Sequence, residues 1–216
     1  LISASSVYVN RSRFGLFDPF DNVIASADRL LPASVAGGEW LASWRREPET
    51  DARAELVQFV WDKSDRLLFG ASDLIRVADR VVKPKDLEVY SNRGLSGIDG
   101  TVSTAIGIAQ QKGEVTALVG DLTLLHDAGG LNVTDLGQLD VRLIVGNDSG
   151  GHIFTRLEVH DQLPSSSFER LFATPQEVDF SALAAAYGWK YFRCESLEQL
   201  AAAWDETGYV LIDFAL

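Results

Sequence analysis

Two acidic residues follow apolar segments that are typical of buried strands. Asp121 comes shortly after residues 115–119, and Asp148 shortly after residues 141–145. The carboxyl ends of strands in an open α/β sheet meet at one edge, which is where such sheets bind ligands. Taken alone, Asp121 is better explained as the N-cap of a helix. The pair, with glycines nearby to expose a backbone carbonyl, instead favours Mg²⁺ held together with a diphosphate.

A third segment, residues 91–100, places three glycines and Arg93 directly before a helical pattern. The free N–H groups of that helix could bind an anion, or the glycines could simply allow a tight turn from strand to helix. Gly94, Gly97 and Gly100 follow a GxxGxxG spacing and not the GxGxxG fingerprint of dinucleotide-binding folds. No GxxxxGK[ST] motif occurs, which excludes the Walker-type nucleotide triphosphatases.

The histidines and the single cysteine predict no chemistry of their own. His126, His152 and His160 lack the spacing of a metal site, although His152 follows Asp148 closely enough to contact a substrate. Cys194 falls on a predicted strand, so we expect it to be buried and inert, and a lone cysteine cannot form an internal disulfide.

Composition limits the class of protein and its partners. The 216 residues are 46% hydrophobic and 23% charged, which is typical of a globular domain. The chain has 19 basic and 31 acidic residues, so its net charge is −12. Neither nucleic acid nor an anionic membrane is therefore an expected partner. No apolar run approaches the ~20 residues of a membrane-spanning helix, so the sequence predicts a soluble, cytoplasmic protein. The chain contains no methionine and begins with Leu1, which indicates a piece of a longer protein.

An alternation of strands and helices must position these residues. Apolar segments predict strands over residues 66–69, 87–90, 115–119, 141–145, 190–193 and 209–214. Helical periodicity predicts helices over residues 51–61, 73–81, 98–111, 180–187 and 197–204. Residues 160–167, with a proline and three serines, predict a flexible active-site loop or a disordered link. The pattern predicts a doubly wound, mainly parallel α/β sheet with helices on both faces.

The motifs resemble those of thiamine diphosphate enzymes. Gly120-Asp121 followed by Asn147-Asp148 is similar to a Gly-Asp-Gly…Asn-Asn motif, from which Leu122 and Asp148 depart. One branch is closer, the 2-succinyl-5-enolpyruvyl-6-hydroxy-3-cyclohexene-1-carboxylate (SEPHCHC) synthases of menaquinone biosynthesis, in which Gly-Asp-Leu is normal. The similar segments are residues 70–76, 91–100, 119–122, 150–154 and 172–176, and the resemblance covers about residues 65–216.

The resemblance implies a domain organisation. Residues 65–216 would be the diphosphate-binding domain, with the thiamine diphosphate-binding fold. Residues 39–64 would be a helical linker and the start of that domain, and residues 1–38 the tail of a preceding central domain. The full-length protein would be a homo-oligomer, a dimer or a tetramer.

The resemblance also implies roles for individual residues. Mg²⁺, with Mn²⁺ as a possible substitute, would be held by the carboxylates of Asp121 and Asp148 and by the main-chain carbonyl of Gly150. Thiamine diphosphate would contact Ser96, Gly97, Ile98, Gly120, Asp121, Leu122, Thr123 and Asn147, and Ile98 would support its bent shape. Substrate would contact Ser72, Arg76, Arg93, Phe154 and Leu157, with the two arginines facing carboxylates. The apolar members of these sets could equally be core residues, and the arginines could form surface ion pairs.

The implied reaction is decarboxylation of 2-oxoglutarate followed by addition of the succinyl unit to isochorismate. The activating glutamate of the family belongs to a pyrimidine-binding domain, which no segment here resembles, so no catalytic residue is assigned and the chain alone is expected to be inactive. One alternative is the same domain of another thiamine diphosphate decarboxylase or carboligase, such as an acetolactate synthase. Arg93 and the Gly-Asp-Leu variant argue against it. Another is a noncatalytic α/β module that binds Mg²⁺ and a nucleotide.

Overall fold

The computed structural model describes residues 51–83, 85–92, 97–133 and 138–216, all within one compact unit, Glu47–Leu216. The predicted tail of a preceding domain, residues 1–38, lies outside the described residues, as do residues 39–50 of the predicted linker. Among the described residues, no helix is both long and apolar enough to cross a membrane.

Within the described residues, six parallel strands form one sheet in the order β2-β1-β3-β4-β6-β5. The strands are β1 (Arg66–Phe69), β2 (Glu88–Ser91), β3 (Glu114–Gly120), β4 (Asp140–Asn147), β5 (Lys190–Cys194) and β6 (Tyr209–Ala215). The central strand β3 is buried without interruption over residues 115–119, because helices cover both faces of the sheet. The predicted parallel α/β fold is confirmed.

The helices lie on both faces of this sheet. In chain order they are α1 (Ala52–Lys63), α2 (Asp73–Val81), α3 (Thr101–Lys112), α4 (Asp121–His126), α5 (Glu158–Gln162), α6 (Ser165–Phe168), α7 (Phe180–Ala186) and α8 (Leu197–Ala203). One apolar core joins α1, α2 and α8 to the sheet, and a second joins α3, α4 and α7 to its other face. Short 3-10 segments, Ala128–Leu131 and His152–Arg156, and a π-helical turn, Glu169–Ala173, complete the structure.

The strand order creates a crevice at the carboxyl edge of the sheet. From β1 the chain continues to β2 on one side, whereas β3 and then β4 lie on the other side of β1. Ligands bind in open α/β sheets at such a reversal, because the loops that follow the two strands diverge there. The segments that leave β1 and β3 at this point begin at Gly70 and Asp121.

Two predicted helix boundaries on this edge are wrong by a few residues. The helix predicted over residues 98–111 begins at Thr101, because Gly100 has φ 66°, a left-handed conformation that a helix does not continue through. Ile98 therefore lies in the turn before α3. Asp121, which taken alone was expected to be the N-cap of a helix, is instead the first residue of α4, and Gly120 is its N-cap.

The predicted loop over residues 160–167 instead contributes to two short helices, α5 and α6. Phe168 is 4% exposed and stacks on Phe172 with ring centroids 5.4 Å apart, while the ring of His160 meets Phe168 edge-on at 4.7 Å. Phe168 and Phe172 lie beyond the polar run that suggested a loop, and their packing with His160 accompanies the helical turns of the segment.

Candidate functional site

A cavity of about 270 Å³ lies at the carboxyl edge of the sheet, where β1, β3 and β4 end. The glycines Gly120 and Gly146 lie side by side in the β3–β4 register and leave room for it. Most of the residues that the sequence predicted for the site line this cavity: Ser72, Arg76, Ile98, Gly120, Asp121, Leu122, Thr123, Asp148, Gly150 and Phe154.

The other predicted residues lie elsewhere. Gly97, Asn147 and Leu157 are described but do not line the cavity, and Leu157 is 48% exposed. Arg93 and Ser96 lie outside the described residues, so their predicted roles stay predictions.

Asp121 is the most unusual ionisable group of the cavity. Its side chain is buried, its Oδ1 accepts a hydrogen bond from the N–H of Leu122 at 2.8 Å, and its Oδ2 has no partner among the described residues. Burial raises the pKa of this carboxyl to about 6, and the nearby Asp148 adds to the shift, while the N–H groups of Leu122 and Gly150 oppose it. A buried carboxylate with a free oxygen is a group that a cation would stabilise.

Asp148 is held by a residue from a distant part of the chain. Its Oδ2 accepts a hydrogen bond from Nη2 of Arg53, in the first turn of α1, at 2.5 Å. The exposed fractions of the two side chains are 17% and 25%, so the pair is partly shielded from solvent. The cavity is lined by three carboxylates, Asp73, Asp121 and Asp148, and Arg53 donates to Asp148.

A tight turn, residues 148–151, brings backbone groups to the cavity. Ser149 has φ 62° and Gly150 has φ 150°, conformations that are uncommon for residues other than glycine. The N–H of Gly151 donates to the carbonyl of Ala173 at 2.6 Å, and the N–H of Gln176 donates to the carbonyl of Ser149 at 3.2 Å. The turn is thus fixed against the segment that follows the π-helical turn.

Asn147 is turned toward the sheet interior and away from the cavity. Its Nδ2 donates to Oδ1 of the buried Asp213 at 2.9 Å, and its Oδ1 accepts from the N–H of Ser149 at 3.0 Å. Asp213 is also bound by the hydroxyl of Tyr191 and by Arg193. Burial, together with this hydrogen bond, raises the pKa of Tyr191 to about 12. Asn147 thus anchors the turn at the end of β4, and its predicted contact with a cofactor stays a prediction.

The entrance to α2 supplies a second polar group. Ser72 is the N-cap residue of α2, and its Oγ accepts from the N–H of Leu74 at 3.2 Å. Nη1 of Arg76 donates to the carbonyl of Ser72 at 2.8 Å, which keeps its guanidinium at the cavity while the side chain stays exposed. The geometry leaves most N–H groups of this arginine available for a carboxylate or phosphate ligand.

Apolar residues border the same cavity. Ile98, in the turn before α3, and Phe154 line it, and Phe154 is 38% exposed with its ring 6.0 Å from that of Phe172. The exposure of Phe154 contradicts the alternative that it is a core residue. It is consistent with a side chain that would contact a ligand.

A cation at this cavity would need oxygens from a ligand as well as from the chain. The described residues contain no group of three or more His, Cys, Asp or Glu side chains arranged to hold a metal. The predicted ligands, Asp121, Asp148 and the carbonyl of Gly150, would supply at most part of an octahedral shell. The free Oδ2 of Asp121 and the position of Gly150 in the lining of the cavity fit a cation that a bound diphosphate would coordinate further.

Sequence reasoning missed several residues of the cavity, above all Arg53. Gly146, Ile153 and the C-terminal Leu216 also line it. A helix that precedes the first strand runs antiparallel to it, so its N-terminus lies at the carboxyl edge. That rule could have placed Arg53 near the site, although it does not specify the partner.

The three histidines and the cysteine do not line the cavity. Nδ1 of His126 lies 3.2 Å from Oδ1 of Asp99, and Nδ1 of His160 lies 3.0 Å from Oδ1 of Asp161. Cys194 is buried, as predicted, and burial raises the pKa of its thiol. His152 is exposed and does not line the cavity.

Fold and cavity together match a known class of domain. Residues 74–214 match the family described as thiamine pyrophosphate enzyme, C-terminal TPP binding domain, and the chain belongs to that family. The crystal structure of benzoylformate decarboxylase from Polynucleobacter necessarius is similar with a TM-score of 0.64, over 79% of this chain and 34% of that one. The two are 17% identical, so this likeness shows the fold alone.

Curated relatives confirm the resemblance to SEPHCHC synthases that the motifs predicted. The chain is 46% identical over 164 residues to the 2-succinyl-5-enolpyruvyl-6-hydroxy-3-cyclohexene-1-carboxylate synthase of Clavibacter michiganensis, covering 70% of this chain and 28% of the relative. It is 40% identical over 191 residues to the synthase of the same name from Nocardia farcinica, covering 79% of this chain and 35% of the relative. The chain thus spans about a third of the length of the curated relatives that it matches.

Proposed function

We propose that this chain is the thiamine diphosphate-binding part of a SEPHCHC synthase, and that its cavity binds the diphosphate together with Mg²⁺ or Mn²⁺. The observation that carries the proposal is the pair of carboxylates at the ends of β3 and β4. Asp121 is buried with a free Oδ2, and Asp148 lines the same cavity. The family membership supports the choice of cofactor, and the relatives' shared name supports the choice of reaction.

In this proposal the residues of the cavity have different roles. Asp121, Asp148 and the carbonyl of Gly150 hold the metal, and Leu122 and Thr123 contribute to the diphosphate site. Ile98 and Phe154 exclude water from the reacting part of the cofactor. Ser72 and Arg76 bind a substrate carboxylate, with Arg93 as a second arginine of the same kind. When bound, the cofactor supplies the electron sink for the loss of CO₂ from 2-oxoglutarate.

The domain arrangement and the whole reaction belong to the proposal too. Residues 65–216 form the diphosphate-binding domain, residues 39–64 lead into it, and residues 1–38 belong to a preceding domain. The activating glutamate comes from a pyrimidine-binding domain of a cytoplasmic homo-oligomer, so the 216-residue chain alone gives no turnover. The succinyl unit left after decarboxylation is added to isochorismate.

A chimera tests the reaction. Residues 65–216 replace the matching segment of the Clavibacter michiganensis relative, and product formation is measured with isochorismate and either 2-oxoglutarate or pyruvate. We expect turnover with 2-oxoglutarate, none from the unfused chain, and a loss of at least about 100-fold in the chimera with Asp121→Ala. The unaltered synthase of Clavibacter michiganensis is the positive control. A folded, cofactor-binding chimera that uses pyruvate, as an acetolactate synthase would, contradicts the proposed substrate.

A further inference from the structure

Arg53 contacts the cavity from a helix to which the proposed function assigns no role. It lies in the first turn of α1, whose N-cap residue Asp51 accepts a hydrogen bond from the N–H of Ala54 at 2.8 Å. Because α1 ends at Lys63, just before β1 begins, it runs antiparallel to β1 and its N-terminus lies at the carboxyl edge. This geometry brings the guanidinium to Asp148, which lies 95 positions further along the chain.

The contact differs from an ordinary surface ion pair in its position. Nη2 of Arg53 donates to Oδ2 of Asp148, one of the two carboxylate oxygens that this residue could offer to the proposed metal, and both side chains are at most one-quarter exposed. Arg76 lines the same cavity but, in the described structure, donates to the carbonyl of Ser72 and to neither Asp121 nor Asp148. Of these two arginines, Arg53 is the one that contacts a proposed metal ligand.

We propose that Arg53 is a positioning residue that neutralises Asp148 before the metal binds and competes with the divalent cation for its Oδ2. The inference rests on the proposed function, because it concerns the same metal site. When the cation takes Oδ2, the displaced guanidinium needs another anion, and the diphosphate supplies one in the same cavity. Arg53 therefore makes metal binding depend on the diphosphate, so that the two bind together more readily than the metal binds alone.

The test measures the affinity of the 216-residue chain for Mn²⁺ alone, by electron paramagnetic resonance of the free ion at low ionic strength. We expect Arg53→Gln to bind Mn²⁺ about tenfold more tightly than the unchanged chain, because the competing charge is removed. Arg76→Gln is the matched control, since it removes the same charge from the same cavity without touching Asp148. Its affinity should change by no more than about twofold.

Two further measurements separate competition from a general effect on structure. Arg53→Lys keeps the charge, so its affinity for Mn²⁺ should return to within about threefold of that of the unchanged chain. With thiamine diphosphate present, the difference between Arg53→Gln and the unchanged chain should shrink, because the diphosphate receives the displaced guanidinium. A disrupted fold would weaken metal binding and cannot produce the expected gain.

The failure of this inference and of the proposed function give different results. If Arg53→Gln binds Mn²⁺ as tightly as the unchanged chain or less tightly, while Mn²⁺ with thiamine diphosphate still binds, the competition is refuted and the cofactor site stands. If the unchanged chain and both glutamine variants bind Mn²⁺ neither alone nor with thiamine diphosphate, both are refuted.

Discussion

Asp121 is a residue whose position reduces the stability of the domain. A carboxylate prefers water, yet this one is 2% exposed, and its Oδ2 has no partner in the described part of the chain. Burial raises its pKa to about 6, so at neutral pH the cofactor-free domain holds a charge that the N–H groups of Leu122 and Gly150 compensate only in part. A bound cation would neutralise this carboxylate and remove the destabilisation. A buried carboxylate is therefore expected where a metal binds.

Removing the charge of Asp121 should raise the free energy of unfolding of the metal-free chain. In buffer with a chelator at pH 7, we expect Asp121→Asn to raise the free energy of unfolding by about 2 kcal/mol, because the variant no longer buries a charge. Urea denaturation followed by tryptophan fluorescence measures it. Asp161→Asn, at an acid whose side chain is 88% exposed, is the control and should change stability by less than about 0.5 kcal/mol.

The sign of the pH dependence follows from the direction of the shift. Between the ordinary value of 3.8 and about 6, the folded carboxyl keeps a proton that the unfolded one has lost. The contribution of Asp121 to stability is therefore largest at acid pH and is lost as the pH rises through about 6. The advantage of Asp121→Asn should accordingly be small below about pH 4 and full above about pH 7. An advantage that does not vary with pH would contradict the raised pKa.

At the scale of elements, the turn at residues 148–151 connects β4 to the cavity. Gly151 has φ −88°, which any residue can adopt, so the space around it decides whether a side chain fits. A Cβ there would lie 2.6 Å from the carbonyl oxygen of Phe172, too close for that backbone to stay in place. Because Gly151 also donates to Ala173, the two segments would have to separate, and the carbonyl of Gly150 would move with them.

We therefore expect Gly151→Ala to weaken the binding of thiamine diphosphate with Mg²⁺ by about tenfold or more, and to lower stability by about 1–3 kcal/mol. Gly129→Ala is the matched control, because nothing lies within 4 Å of a Cβ at that position and its φ is not positive. Isothermal titration calorimetry and urea denaturation measure the two effects. Equal cofactor affinity in the two variants would show that the turn does not position the site.

The elements themselves were largely predictable from local sequence. Each strand is a short apolar run buried by helices on both faces, so hydrophobicity alone located all six to within two residues at each end. The two acids were predictable for the same reason, since each follows a strand. The start of α3 was not, because it depends on the left-handed conformation of Gly100.

Features that depend on contacts between distant segments were not predictable in this way. The helical turns over residues 158–168 depend on Phe168 packing against Phe172, whereas their own sequence is polar. Arg53 lies 95 positions from Asp148, and no periodicity or motif connects them. The side chain of Asn147 binds the buried Asp213 on β6, so its direction could not be known before the strand order was.

At the scale of the whole molecule, topology and charge act together. The strand order brings the segments after β1, β3 and β4 to one crevice, where three carboxylates, Asp73, Asp121 and Asp148, lie in a chain of net charge −12. A diphosphate is itself an anion, so its binding here requires a cation to offset the repulsion. We therefore expect the anionic cofactor to bind only when a divalent metal is present.

Calorimetric titration of the 216-residue chain with thiamine diphosphate tests this claim most directly, with Mg²⁺ or with a chelator, and with ADP and Mg²⁺ as the competing ligand. We expect binding of thiamine diphosphate only with Mg²⁺, in preference to ADP. Asp121→Ala should lower the affinity by more than about 100-fold, and Asp161→Ala should leave it unchanged. Metal-independent binding, a preference for ADP, or undiminished affinity in Asp121→Ala would contradict the account.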